Sequence, residues 1–358
     1  MGYDVAIIGA GPAGCAAALT LVRAGRSVIV LERLPFPRHK VCGGCLSGWA
    51  MQQLRDLLGE RFQLPGAPGS DIAFSVGGRL IRCPSGGRTR VVARADLDSM
   101  LAEGARIAGA EFRFGQLAGV ARCREKFEVI VGGQSLQAGT ILLASGLSRL
   151  ASKVGFRPRP FGSPMIGRQW LTSAEAVGVA PGAVEMHWLR GGYVGLAAPN
   201  DAECIVALAM KTAVLSGVDP LSALRRMNPG AEIWNRVVST QESQVRGAAG
   251  FPFVPDRLTL ANVILIGDAA GYSEPFSGTG IGMALSSGIA AARSIVGGCV
   301  AREYERALYL HRRAMWRTRI LAAALNSNFT QGLLHWSNPR LDHWISKLVQ
   351  NVHVRSAI

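Results

Sequence analysis

The sequence predicts an α/β fold in three parts: a parallel sheet shaped to hold a dinucleotide, a largely antiparallel sheet beside it, and a helical C-terminal tail. Three observations predict it. An apolar strand, Val5–Ile8, runs directly into the turn Gly9-Ala10-Gly11-Pro12-Ala13-Gly14. Far downstream, a second apolar strand, Val263–Ile266, ends in Gly267-Asp268. Between them, from about 156 to 254, short alternating segments broken by Gly, Pro and Asn displace the strand–helix rhythm of the first part.

The elements follow in order. After the glycine turn, Cys15–Ala24 reads as a helix of small residues stopped by Gly25, and Ser27–Leu31 as the next parallel strand, ending at Glu32. Residues 34–46 are irregular, and Trp49–Leu58 is helical. Ile72–Val76 and Leu80–Cys83 suggest strands, and a helix runs from Arg94 to about Gly109. Glu111–Phe114 and Phe127–Val131 are further strands. Thr140–Ala144 is a buried strand closed by Ser145-Gly146. The second sheet takes Val184–Leu189, Tyr193–Ala197 and Cys204–Met210, and a small-residue helix spans Gly278–Ile295. Residues 1–65, 88–155 and 255–300 are thus expected to form one discontinuous domain. Residues 66–87 and 156–254 form a second, and 301–358 a helical tail.

Composition narrows the function classes. At 358 residues, with 49% apolar and 18% charged side chains, the chain is globular rather than disordered. No run of eighteen uncharged apolar residues occurs, and Asp4 with the glycine turn interrupts any signal-peptide core, so a cytoplasmic location is expected. The formal charge of +15 invites a nucleic-acid partner. The basic residues are spread without a basic, aromatic-interleaved stripe, so an acidic substrate or anionic membrane surface is expected instead. The seven cysteines are scattered, in keeping with reduced thiols.

The first glycine string has a physical logic. Gly9 permits the tight turn, Gly11 lets the backbone approach a pyrophosphate, and Gly14 allows helix to pack on strand. Pro12 and Ala13 belong to the same turn, which leads into a helix whose free N–H groups and dipole favour phosphate. Glu32, with Arg33 beside it, stands at the strand end where a carboxylate suits a ribose diol. These residues specify a dinucleotide. The second string resembles glutathione-reductase-like flavin folds, in which a late Asp bonds the ribityl chain and a Pro-x-x-Gly-x-Gly loop faces the flavin ring. The matching residues are Gly267, Asp268, Pro275, Gly278 and Gly280, followed by Ile281. A simple N-cap role for Asp268 leaves that loop unexplained. The implied cofactor is FAD.

Four stretches carry a closer resemblance: Gly9–Gly14 with Glu32; Pro37-Arg38-His39-Lys40-Val41-Cys42-Gly43-Gly44; Arg94 with Leu97-Asp98; and Gly267–Gly282. Together they resemble the FAD-dependent geranylgeranyl-reductase-like family, related to flavin-dependent halogenases and aromatic hydroxylases. The resemblance implies that Arg94 contacts the FAD phosphates or ribityl chain, and that Cys42, Gly43 and Gly146 border the cofactor. Two departures stand out. Ser145-Gly146 replaces the hydroxylases' Asp-Gly. Tyr193-Val194-Gly195-Leu196-Ala197-Ala198-Pro199 occupies the place of the halogenases' Trp-x-Trp-x-Ile-Pro, so Tyr193, Gly195, Ala197 and Pro199 are expected to line a larger, smoother substrate pocket. That argues against a halogenase.

Three side chains are catalytic candidates. Cys42 suits a proton donor or substrate contact in the pocket, or plain packing. Cycling as a disulfide with Cys45 is a further reading. Lys40 is either an electrostatic group of the flavin pocket or a solvated lysine. Glu274, beside the expected ring edge, is either an acid–base group or a carboxylate paired with an arginine. His39 and His187 read as structural. No second ligand pair accompanies Cys42 and Cys45, so no metal is expected.

The expected function is an FAD-dependent oxidoreductase reducing C=C bonds of a hydrophobic prenyl, lipid or polyketide-like substrate by hydride transfer. The alternative is a monooxygenase acting through a flavin hydroperoxide, and a flavin electron carrier is a third reading. No second dinucleotide fingerprint exists, so NAD(P)H binds transiently or a separate protein delivers the electrons. In the tail, Trp316, Ile320, Leu321, Leu325, Phe329 and Leu333 recur at helical spacing beside Arg312, Arg313, Arg317 and Arg319. Such a helix docks on its own protein or meets a membrane surface peripherally.

Overall fold

The computed structural model describes residues 2–59, 62–76, 79–85, 87–115, 118–215, 217–237, 243–273, 276, 278–298 and 300–325. Glu274, Pro275, Phe329 and Leu333, named above, lie outside the described residues, as does all of 326–358.

The first sheet has six strands in the order Thr259–Leu260, Val263–Leu265, Ala138–Leu143, Tyr3–Ile8, Val28–Glu32 and Glu111–Phe114. All pairs are parallel except the outermost hairpin. Tyr3–Ile8 lies at its centre, with Ile7 level with Leu142 on one side and Val30 on the other. A parallel strand covered on both faces is apolar along its run, as Val28–Leu31 are, and all five positions of Val28–Glu32 are buried, the carboxylate of Glu32 coming at the strand end. The helices Pro12–Arg23 and Gly280–Val296 approach so closely that a Cβ on Gly288 would sit 2.2 Å from the Ala13 carbonyl oxygen. Small residues at that crossing bring the two glycine strings to one sheet edge.

The second sheet has seven strands: Ser243–Pro255, Pro158–Ser173, Glu203–Lys211, Gly192–Ala197, Val184–Leu189, Asp71–Val76 and Arg79–Pro84. It is antiparallel except where Val184–Leu189 runs parallel to Asp71–Val76. One face carries Val184, Met186, Tyr193, Ala197 and Ala209 into an apolar cluster with Phe74, Phe251 and Phe276. The other face sets Val194, Leu196, Val206 and Leu208 against residues of the short helices Ala174–Val177, Pro220–Met227 and Ile233–Val237. Glu185 is on that outer side, paired with Arg236 at 2.7 Å and His187 at 3.3 Å. Arg236 also donates to the Val177 carbonyl at 2.8 Å, so the cluster pins the helices to the sheet. His187 thereby has a structural partner.

Several boundaries differ from the sequence reading. Pro158–Ser173 and Ser243–Pro255 are the longest strands of their sheet, where only short segments are legible. Pro160, Gly162 and Pro164 interrupt the pattern, and the pairing shifts register between Pro160 and Met165. The first helix begins at Pro12, not Cys15, because proline suits the first helical turn. The later helix begins at Gly280, because Gly278 has φ +63° and cannot belong to it. Among the described residues, no helix is long and apolar enough to cross a membrane.

Candidate functional site

One continuous cavity of about 1330 Å³ runs from the Gly9–Ala13 turn to the inner face of the seven-stranded sheet. Gly9, Gly11, Pro12, Ala13, Glu32, Arg33, Cys42, Gly43, Arg94, Gly146, Gly267, Asp268, Gly278, Gly280 and Ile281 all line it. So do Lys40, Tyr193, Gly195 and Ala197. Two expected residues do not. Gly14 faces the strand, where a Cβ would lie 2.0 Å from the Gly9 carbonyl oxygen, so its role is packing. Pro199 is buried past the end of its strand, outside the lining. Glu274 and Pro275 fall outside the described residues.

The three turn glycines differ physically. Gly9 has φ +109°, and a Cβ there would sit 2.4 Å from the Ala144 carbonyl oxygen. Gly11 is open: a Cβ would meet only Arg38 Nη2, at 4.0 Å. Gly43 and Gly280 have open space as well. A cavity edge kept free of Cβ atoms at a helix N-terminus is what a pyrophosphate needs. Glu32 accepts hydrogen bonds from the Ala10 N–H at 2.9 Å and the Leu34 N–H at 3.2 Å, which fix its carboxylate at the strand end.

A buried charge network backs this turn. Arg94 grips Asp98 with two hydrogen bonds of 2.9 Å, one turn along its helix. Arg38 Nη2 lies 3.4 Å from Glu32 and 3.3 Å from Asp98. Burial opposes the charge on Arg94, but Asp98, with a smaller contribution from Cys42, outweighs it and raises the guanidinium pKa. Arg38 Nε and Ser145 Oγ are buried without a hydrogen-bond partner among the described residues. Both residues line the cavity and would find partners on a bound dinucleotide. The open glycines, the carboxylate and these unused polar atoms fit FAD.

Beyond the cradle, the Pro37–Cys45 loop closes over the cavity. Gln169 accepts the Cys42 N–H at 2.6 Å, tying the loop to the second sheet. Cys42 Sγ accepts the Gly44 N–H at 3.4 Å and lies within hydrogen-bonding reach of Arg94. Cys42 and Cys45 are both free thiols. Burial, with help from the nearby Cys42, pushes the Cys45 thiol up to about 12. A thiol held protonated is a poor attacking group for disulfide exchange. Lys40 Nζ stands 3.7 Å from Asp268 Oδ2, so it is a cavity group with a partner. Asp268 lies in the short 3-10 turn Gly267–Ala270, whose N-cap position is Ile266, so its carboxylate is not used as a cap and lines the cavity beside Lys40.

The wall opposite is apolar: Ile72, Phe74, Val184, Met186 and Phe251 join Tyr193 there. A Cβ on Gly195 would sit 2.9 Å from Met186 Sδ, so a flexible thioether partly fills the space expected to be open. Sequence reasoning gave Arg38, Asp98, Gln169 and Met186 no role. Arg38 and Asp98 sat inside motif stretches, and the i, i+4 spacing of Arg94 and Asp98 was the available signal. Nothing in the sequence pairs Gln169 with Cys42.

Fold and cavity together define an FAD-dependent oxidoreductase. A family model described as an FAD binding domain matches residues 2–129. Menaquinone reductase of Mycobacterium tuberculosis is 30% identical over 325 residues, covering 81% of this chain and 75% of that protein. A digeranylgeranylglycerophospholipid reductase of Methanocella arvoryzae is 26% identical, covering 83% and 78%. A solved flavin-dependent brominase superposes with a TM-score of 0.77 at 20% identity, covering 99% and 94%, and shares the fold. The chain belongs to the FAD-dependent geranylgeranyl-reductase-like family of flavoenzymes.

Proposed function

We propose that this chain reduces carbon–carbon double bonds of a bulky isoprenoid or other lipid substrate. NAD(P)H or a separate reduced protein would serve as transient electron donor. One observation carries the reading: the apolar chamber beneath the seven-stranded sheet is continuous with the FAD cradle. The names of the two reductases quoted above support it, since one names a quinone and the other a prenylated phospholipid as substrate.

When bound, FAD supplies the hydride equivalents of the reduction. Glu32, Arg38, Arg94 and the Gly9–Ala13 turn would hold its nucleotide half, and Asp268 with Gly278–Ile281 its flavin half. The chain's remaining task is to hold the alkene, exclude water and deliver one proton. Ile72, Phe74, Val184, Met186 and Phe251 offer apolar contact and keep water out. In this reading Cys42 holds that proton. Once that proton leaves, the Gly44 N–H and Arg94 are positioned to bond the sulfur left behind. Gln169 acts through Cys42 and is a positioning residue.

A peripheral contact with a lipid surface belongs to this reading. On the helix Val300–Leu325, Tyr309, Trp316 and Ile320 are 60%, 57% and 65% exposed. Arg313 and Arg317 are exposed beside them. Aromatic and basic groups on one amphipathic helix suit an anionic interface.

The test is run anaerobically and then repeated in air. Reduced enzyme is mixed with prenyl, fatty and aromatic compounds, and flavin absorbance and product mass are followed. Reoxidation by prenyl compounds, with products that have gained two hydrogens, is expected. Reoxidation that requires oxygen and gives oxygenated product overturns the reading in favour of a monooxygenase.

A further inference from the structure

The helix Val300–Leu325 turns Leu308, Arg312 and Met315 into the cavity at i, i+4 and i+7 spacing. Leu308 and Met315 are each 4% exposed. Met315 Cε comes within 3.4 Å of where a Cβ on Gly271 would sit, and its carbonyl accepts the Ser273 hydroxyl at 3.1 Å. The helix therefore packs on the loop that leaves Asp268.

Arg312 is out of character in that wall. Its Nε is buried with no hydrogen-bond partner, and among the described residues no carboxylate pairs with it. Arg38 and Arg94, by contrast, are matched by Glu32 and Asp98. Arg312 is half-buried, but an Nε–H shut off from water without an acceptor is unfavourable, and the planar fork is best satisfied by a two-oxygen anion reaching it from the cavity. A leucine would fill the same helical position without that cost. The dinucleotide phosphates have their own site at Gly11 and Arg38, so they do not account for it.

We propose that Arg312 anchors a phosphate or diphosphate brought into the chamber by a ligand other than FAD. This rests on reading the cavity as the reaction chamber. The phosphate would belong either to an isoprenoid substrate or to the nicotinamide donor; the chemistry at Arg312 is the same for both.

The experiment uses FAD-loaded enzyme, with R312L and R312K beside the wild type, and needs no turnover. Inorganic pyrophosphate, geranylgeranyl diphosphate, geranylgeraniol and NADPH are titrated against intrinsic fluorescence. At least one phosphate probe is expected to bind the wild type tenfold or more tighter than R312L, with R312K between them and geranylgeraniol indifferent to the change. A loss confined to geranylgeranyl diphosphate assigns the site to substrate, and one confined to NADPH assigns it to the donor. The proposal is overturned if no phosphate probe binds the wild type, or if R312L binds all of them equally well. Loss of FAD from both variants overturns it too, because Arg312 would then serve the cofactor. Phosphate binding that depends on Arg312, without any alkene reduction, would remove the reductase reading and leave this site standing.

Discussion

Lys40 Nζ and Asp268 Oδ2 lie 3.7 Å apart, joining a loop near the N-terminus to a turn near the end of the parallel sheet. Both side chains are partly exposed, at 34% and 23%, so the pair adds at most about 1 kcal/mol to stability. Its value is in aiming the carboxylate. Asp268→Ala should keep the melting temperature of the FAD-free protein within about 2 °C, because exposed pairs contribute so little. It should weaken FAD retention roughly tenfold, the size of one charge-assisted hydrogen bond. Released flavin after ultrafiltration, read by fluorescence, checks both Asp268→Ala and the milder Lys40→Met.

The glycine turn gives a paired prediction. Gly11→Ala introduces a Cβ into open space, and should fold with near-native stability while losing FAD affinity. Gly14→Ala places a Cβ 2.0 Å from the Gly9 carbonyl oxygen and should destabilise the whole parallel sheet. Urea unfolding of the FAD-free proteins separates the two effects. Equal stability of the two variants would contradict the division of labour.

Asp98 is fully buried and serves both Arg94 and Arg38. Asp98→Ala leaves two buried guanidinium groups without their shared acceptor, and should cost about 3–5 kcal/mol in urea unfolding. Asp98→Asn keeps the shape and one acceptor oxygen, and should fall between wild type and alanine.

Glu185 makes the protein acid-sensitive. Burial raises its pKa, but hydrogen bonds from His187 and Arg236 overcome that and hold the carboxyl at about 2, below its ordinary 4.5. A depressed carboxylate stabilises the fold above the unfolded-state value, and that stability drains away as pH falls from about 4.5 to 2. Glu185→Gln should be less stable than wild type at pH 6 and should lose less on going to pH 3. Parallel pH profiles would rule this out.

Gly195 controls the shape of the apolar chamber. Gly195→Trp should retain FAD, because residue 195 is on the second sheet, while excluding bulky apolar compounds from the chamber. The result to look for is intact flavin absorbance with turnover of bulky compounds falling more than tenfold relative to short ones.

The glycine turn and Glu32 were legible from local chain chemistry, and Asp268 and the inner positions of Gly192–Ala197 from a family motif; Glu32, Asp268 and those inner positions line the cavity. The long strands Pro158–Ser173 and Ser243–Pro255 were not, because Pro160, Gly162 and Pro164 break the first and the pairing between the two shifts register. The Cys42–Gln169 hydrogen bond joins residues 127 positions apart, and no local pattern foretells it. Pro199 was read as a pocket residue from its place in a motif. It falls two residues past the end of the strand that carries Tyr193, Gly195 and Ala197 to the cavity.

The one parallel junction in the second sheet, Asp71–Val76 beside Val184–Leu189, has a consequence for engineering. That sheet is assembled from two stretches of chain, with the helix Arg94–Ile107 and the strand Ala138–Leu143 of the cofactor unit threaded between them. No contiguous excision removes it, and no single splice could transplant the chamber of one homologue onto the cofactor half of another. New specificity in this scaffold has to come from exchanging individual wall residues such as Met186 and Gly195, with the backbone left whole.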